Sequence, residues 1–263
     1  MSDHIVRDQY LAYNARRNSE ARRYGAFRNE LKYFRRLKPL APTFRFLDVG
    51  CGPGLLTQFM IEQGVDGAGV DIDESLVRAA KTRVERTGKR AGFVVGRVEQ
   101  LPYRDRTFDI CVANSILEHA ADWQATLREI TRVLRTDGLL VFYTTNRMHP
   151  FQDEVNHFPF YPWIPAPLKS RILAWIMRNR PDLVNYTDLP AINWFSYKQV
   201  NRFMRGLGYR VSTRLDLVEK SDLVGWKAAA RPALGAIQRI PLFRYFYYFY
   251  SRDTSVYAIK LPG

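Results

Sequence analysis

The chain has 263 residues, 46% of them hydrophobic, which is enough for one domain with insertions or one domain plus a cap. Its formal charge of +14 and isoelectric point near 9.9 favour anionic partners: nucleic acid, anionic lipid or phosphorylated substrates. Two cysteines without metal-type spacing exclude a disulfide framework and fit a reducing, cytoplasmic setting. The residues from Met1 to Asp8 lack an apolar signal core, and no apolar run is long enough for a transmembrane helix.

Residues 8–38 read as helical and strongly basic, with Tyr10, Leu11, Tyr13, Phe27, Leu31 and Phe34 at roughly helical spacing until Pro39 and Pro42 end the segment. Residues 1–42 are therefore an N-terminal helical cap, lying either over the mouth of a site or against the sheet edge. A strand follows at about 44–49. It runs through Asp48 into a loop with glycine at every second position, Gly50-Cys51-Gly52-Pro53-Gly54, and then a helix at 55–63. Strand, glycine turn and helix N-terminus make a cradle for a nucleotide-like cofactor, gripped through exposed amides. A dinucleotide fingerprint would need its third glycine at position 55, which is Leu55, and Asp48 would repel a pyrophosphate but hold a cation.

Leu47-Asp48-Val49-Gly50-Cys51-Gly52-Pro53-Gly54 resembles the cofactor loop of the class I S-adenosylmethionine (SAM)-dependent methyltransferases, particularly those acting on quinone precursors and other small molecules. The resemblance covers roughly residues 44–145. It implies an α/β, Rossmann-like fold: a seven-stranded, mostly parallel sheet with helices on both faces and an antiparallel last strand. It also implies SAM as cofactor, S-adenosylhomocysteine (SAH) as product, and Asp48, Gly50, Cys51, Gly52 and Gly54 around them.

Strand two, about 67–71, ends in Asp71, placed for two ribose hydroxyls, and Ile72, placed for the adenine face; Asp73 and Ser75 suit the cap of a helix at 74–87. After strand three, 92–95, similar enzymes carry an aspartate for the adenine amino group. Here that position is Arg97, which has no acceptor, leaving the Val98 backbone and Glu99 to serve the ring. Strand four, about 108–113, leads into Asn114, a further cofactor candidate at the carboxyl edge, and Ser115-Ile116-Leu117-Glu118-His119, which resembles the family's Leu-Glu-His. A helix at 122–135, stopped by Thr136-Asp137-Gly138, precedes strand five at 139–144.

Regular alternation stops at residue 146. Residues 146–195 hold five prolines by Pro167, many aromatics and a basic helix at 168–180, and read as a substrate cap. Residues 196–263 resume the core with a helix capped by Ser196, strand six at about 209–218 and strand seven at about 255–260. Between those strands, 219–252 form an aromatic-basic insertion that suits a cavity cap, a dimer face, an anionic membrane surface or internal packing.

Methyl transfer to oxygen needs a base, and His119, His149 and His157 are the candidates. A catalytic metal is not expected, because Ser115 replaces the first glutamate of the Glu-x-x-Glu-His arrangement that binds one in some relatives. The expected acceptor is a small molecule: a lipid, a lipid-linked compound or a glycan or phosphorylated metabolite, with quinone-type and natural-product acceptors as the near alternative. An RNA methyltransferase or a non-catalytic SAM-binding protein is the more distant one. Nucleic acid is disfavoured, since no base-flipping or aromatic RNA-binding signature appears. The expected location is cytoplasmic, at the inner membrane face if the aromatic insertion binds lipid; nothing in the sequence sets the oligomeric state.

Overall fold

The computed structural model describes residues 20–151, 155, 158–180, 183 and 191–263. One sheet holds β1 (Arg45–Val49), β2 (Asp66–Asp71), β3 (Gly92–Val95), β4 (Phe108–Asn114), β5 (Leu134–Thr145), β6 (Tyr209–Ser212) and β7 (Asp253–Lys260), in the order 3-2-1-4-5-7-6. β1 to β5 pair in parallel, and β7 lies antiparallel between β5 and β6. Phe46–Val49, Ile110–Ala113 and Leu139–Phe142 are almost fully buried, as strands covered on both faces must be. The strand order reverses between β1 and β4, which opens a crevice at their carboxyl ends, where open α/β sheets bind ligands.

Helices α1 (Glu20–Leu37) and α2 (Leu55–Glu62) cover one face, where Leu31, Phe34, Phe59 and Met60 meet Val112 and Val141. α3 (Glu74–Glu85) packs Val77, Ala80 and Val84 on Phe93. On the other face, α4 (Trp123–Val133) packs Leu127 and Ile130 on the sheet; α5 (Ala166–Asn179) belongs to a satellite core of Val155, Tyr161 and Ile176. α6 (Tyr197–Gly206) joins α4 through Val200 and Met204, and Ser196 Oγ caps it by accepting from the Gln199 amide at 3.3 Å. The second insertion holds 3₁₀ turns, α8 (Leu234–Arg239) and α9 (Pro241–Tyr250), preceded by the short α7 (Arg214–Leu217).

α1 is tied to the sheet by a buried polar hub. Glu30 accepts from the hydroxyls of Tyr143 and Tyr257 and, at 2.7 Å, from Arg214 Nη2. The expected helix spans 8–38; residues 1–19, with Tyr10, Leu11 and Tyr13, lie outside the described residues.

Two expected boundaries move. Strand six stops at Ser212, because the Thr213 amide and hydroxyl both donate to Asp216 Oδ2 at 2.8 Å and turn residues 214–217 into α7. Thr136-Asp137-Gly138 does not close the preceding helix. α4 ends at Val133, Leu134 already pairs with Phe108, and the three residues bulge inside β5, Asp137 at φ 59°, before Leu139 pairs with Ile110.

Candidate functional site

Gly50 and Gly54 both sit in left-handed backbone, at φ 73° and 76°. A Cβ on Gly50 would stand 1.9 Å from Ile116 Cδ1, so the glycine lets the turn after β4 close on the turn after β1. The loop amides are not the exposed cradle the sequence suggests. Those of Gly50 and Cys51 donate to Val70 O at 2.8 and 3.0 Å, that of Gly54 to Cys51 O at 3.0 Å, and that of Gly52 to Asp71 Oδ2 at 2.8 Å. With these four amides committed internally and the acids Asp48 and Asp71 beside the loop, the turn suits a cation rather than a pyrophosphate.

Asp71 is fixed at both oxygens, since Oδ1 also accepts from the Asp73 amide at 3.0 Å. The cap of α3 falls to Asp73, whose carboxylate accepts from the Ser75 and Leu76 amides, so Asp71 is not needed there. Each Asp71 oxygen keeps lone-pair capacity for a ribose hydroxyl. Ile72 beside it is 53% exposed and Val95, its neighbour across the ladder, 47% exposed. Two apolar side chains are thus bared to water near a fixed carboxylate. Sequence reasoning missed Val95; its signal was the register that sets it opposite Asp71.

Asp48 is buried, and Thr57 Oγ1 donates to it at 2.8 Å. Burial, reinforced by the Asp71 charge, pushes its carboxyl up to about 7. Cys51 lies in the α3 core cluster, its thiol pushed up by burial and donating to Gly52 O at 3.6 Å. Glu99 pairs with Arg97 at 3.6 Å, and the Val98 side chain packs on the core, which leaves Val98 its main chain for a ligand.

Beyond β4, Asn114 Oδ1 is buried and has no hydrogen-bond partner among the described residues. It lines a narrow cavity walled by Phe27, Leu31, Phe59 and Met60, with Tyr143 and Glu30 at the polar end. The turn from Ser115, at φ 53°, to Ala120 is clamped by Asn193: its amide and that of Ile192 donate to Glu118 O at 3.1 and 2.8 Å, and its Nδ2 to Leu117 O and Ala120 O. The Glu118 carboxyl, buried beneath Thr144 Oγ1 at 2.8 Å, is raised by burial to about 7. His119 is carried by this clamped turn at the carboxyl edge. His149 lies in the first insertion, where its Nδ1 accepts from the Phe151 amide at 3.4 Å; His157 lies outside the described residues. Among the described residues no three His, Cys, Asp or Glu side chains converge to hold a metal.

A family model described as a methyltransferase domain matches residues 47–142, the stretch that contains the glycine loop, Asp71 and the Leu-Glu-His turn. This stretch is thus similar to a methyltransferase domain. The ubiquinone biosynthesis O-methyltransferase of Azorhizobium caulinodans is 33% identical over 113 residues, covering 43% of this chain and 44% of that protein. The enzyme of the same name from Coxiella burnetii is 35% identical over 101 residues, covering 38% and 43%. The chain thus matches under half the length of these curated relatives. Among solved structures, the plantazolicin methyltransferase BpumL in complex with SAH superposes with a TM-score of 0.59 at 13% identity, over 97% of this chain and 90% of that one. A SAM-dependent methyltransferase from Mesorhizobium loti gives 0.55 at 17%, over 86% and 95%. Both share the fold.

Proposed function

We propose that the chain transfers a methyl group from SAM to an oxygen of a small, largely apolar acceptor, a lipid or lipid-linked metabolite of the hydroxylated quinone-precursor type. The observation that carries this reading is the glycine loop with its amides turned inward and the acids Asp48 and Asp71 beside it. The unpartnered Asn114 Oδ1 adds a buried acceptor that an ammonium or hydroxyl donor would satisfy. When bound, SAM supplies a methyl made electrophilic by its sulfonium.

The protein's own contribution is positioning and water exclusion. Asp71 holds the ribose, Ile72 and Val95 the adenine, and Asp48 the cationic end. Asn114 Oδ1, in a cavity with room for about one water, receives a hydroxyl or ammonium donor. His119, on its clamped turn, takes the hydroxyl proton, with His149 the alternative base. The names of the curated relatives support the acceptor class.

Calorimetry with SAH, followed by transfer of labelled methyl from SAM into lipid and aqueous extracts, tests this. Tight SAH binding with label in the lipid fraction is the expected result. No heat with SAH overturns the cofactor assignment, and label confined to the aqueous fraction overturns the lipid acceptor.

A further inference from the structure

α9 is built inside out. Its inward side is Arg244, Tyr247, Tyr248 and Ser251, spaced i, i+3, i+4, i+7, all partly buried. Arg244 bonds Asp216 at 2.6 Å and the Tyr248 hydroxyl at 2.7 Å, the Tyr248 ring stacks on Tyr197 at 4.5 Å, and Asn146 Nδ2 holds the carbonyls of Tyr248 and Ser251 at 2.6 Å. The opposite side follows the same spacing through Leu242, Tyr245, Phe246, Phe249 and Tyr250. Leu242, Tyr245, Phe246 and Tyr250 are 59%, 52%, 49% and 72% exposed. A helix that faces only water puts its apolar stripe inward; here polar groups anchor the helix and the stripe is turned out.

The stripe continues onto the first insertion. Phe249 meets Trp163 at 6.5 Å, Trp163 meets Phe160 at 5.0 Å, and Phe160 meets Phe151 at 6.2 Å. α5 adds exposed Leu168 and Trp175 with the exposed Arg171 between them in helical register, and Trp226 stands 86% exposed beside Lys227. Exposed Arg231, Arg239 and Arg252 belong to the same insertion as the stripe. Among the described residues no helix is long and apolar enough to cross a membrane.

We propose that α9, with the aromatic ladder reaching Phe151, is a surface that docks onto the interface of an anionic lipid bilayer. The chemistry matches. Tyrosine and tryptophan prefer the headgroup boundary, Leu242 and Phe246 reach the acyl region, and arginines on a chain of charge +14 meet anionic headgroups. The contact is independent of methyl transfer: SAH binding in solution tests the catalytic reading and vesicle pelleting tests this one.

The experiment uses the full chain with vesicles of phosphatidylcholine alone, or with about a quarter phosphatidylglycerol. Sedimentation is read with and without added salt, alongside quenching of tryptophan emission by brominated lipid. The expected result is pelleting with the anionic vesicles, weakened but not abolished by salt, with tryptophan quenching. Leu242→Ser with Phe246→Ser should lower partitioning about tenfold or more while SAH affinity and circular dichroism stay unchanged. Three results overturn the proposal: no pelleting and no quenching by the wild type, equal pelleting by the double variant, or a concentration-dependent dimer that the two substitutions dissolve without any vesicle binding.

Discussion

Replacing Asp48 by asparagine keeps the shape of the side chain and an oxygen to accept from Thr57, but removes the ionisable group. Burial raises the Asp48 carboxyl to about 7, against an ordinary value of about 4 in the unfolded chain. Between those values the folded protein binds this proton and the unfolded chain has released it, so stability falls as pH rises from about 4 to about 7 and levels off above. The slope from one such group is at most about 1.4 kcal/mol per pH unit, and about three units set a ceiling near 4 kcal/mol. Glu118, raised to about 7 by the same cause, adds a second slope of the same sign. Urea unfolding between pH 4.5 and 8, within the roughly 4-to-7 window and just beyond it, should show Asp48→Asn losing one of these two contributions. It should be more stable than wild type at pH 8 and close to it at the acid end. SAM affinity should fall with the lost countercharge. Parallel stability curves for the two proteins would refute the argument.

Asp71→Ala should weaken SAH binding by about tenfold or more in calorimetry, since fixed charge-assisted bonds to hydroxyls are worth about 1.5–3 kcal/mol each; unchanged affinity removes Asp71 from the site. Gly50→Ala places a methyl 1.9 Å from Ile116 in left-handed backbone and should cost about 2–3 kcal/mol in urea unfolding, with SAH binding impaired. Glu30→Gln leaves Arg214, whose Nε is already buried without a partner among the described residues, facing a neutral amide. A loss of about 2–3 kcal/mol is expected from a broken, partly buried ion pair, and a change within about 0.5 kcal/mol would show that α1 is held by its apolar side alone.

What could be read directly from the chain was whatever is written locally. The apolar runs of the central strands announce the sheet, and the acid-flanked glycine loop and the acid at the end of the next strand mark the candidate cofactor side of the site. Even so, the loop's grip was misjudged, because donor and acceptor use depends on Val70 and Asp71 lying one strand away. The Thr213–Asp216 turn was concealed by a strand-like apolar pattern that a four-residue hydrogen-bonded motif interrupts. Glu30 looked like one more charge on a basic helix. Its partners Tyr143 and Tyr257 lie 113 and 227 positions away, so no periodicity could announce them. Asn193 clamps a turn more than seventy positions upstream for the same reason. In α9, periodicity was present but ambiguous, since a stripe of rings says nothing about which side faces the core.

Asn146 follows β5, and from it the chain departs into the first insertion. Its Nδ2 secures the end of α9, its Oδ1 receives the Met148 amide at 2.9 Å, and its backbone bridges to Phe195, where the insertion returns to the core. One side chain is thus the shared hinge-pin of both additions to the sheet. A force on α9 from outside would be delivered to the segment bearing His149 and, through the neighbouring Asn193 clamp, to the turn bearing His119. The end of α9 and the segment beside the reactive edge thus share one anchoring side chain.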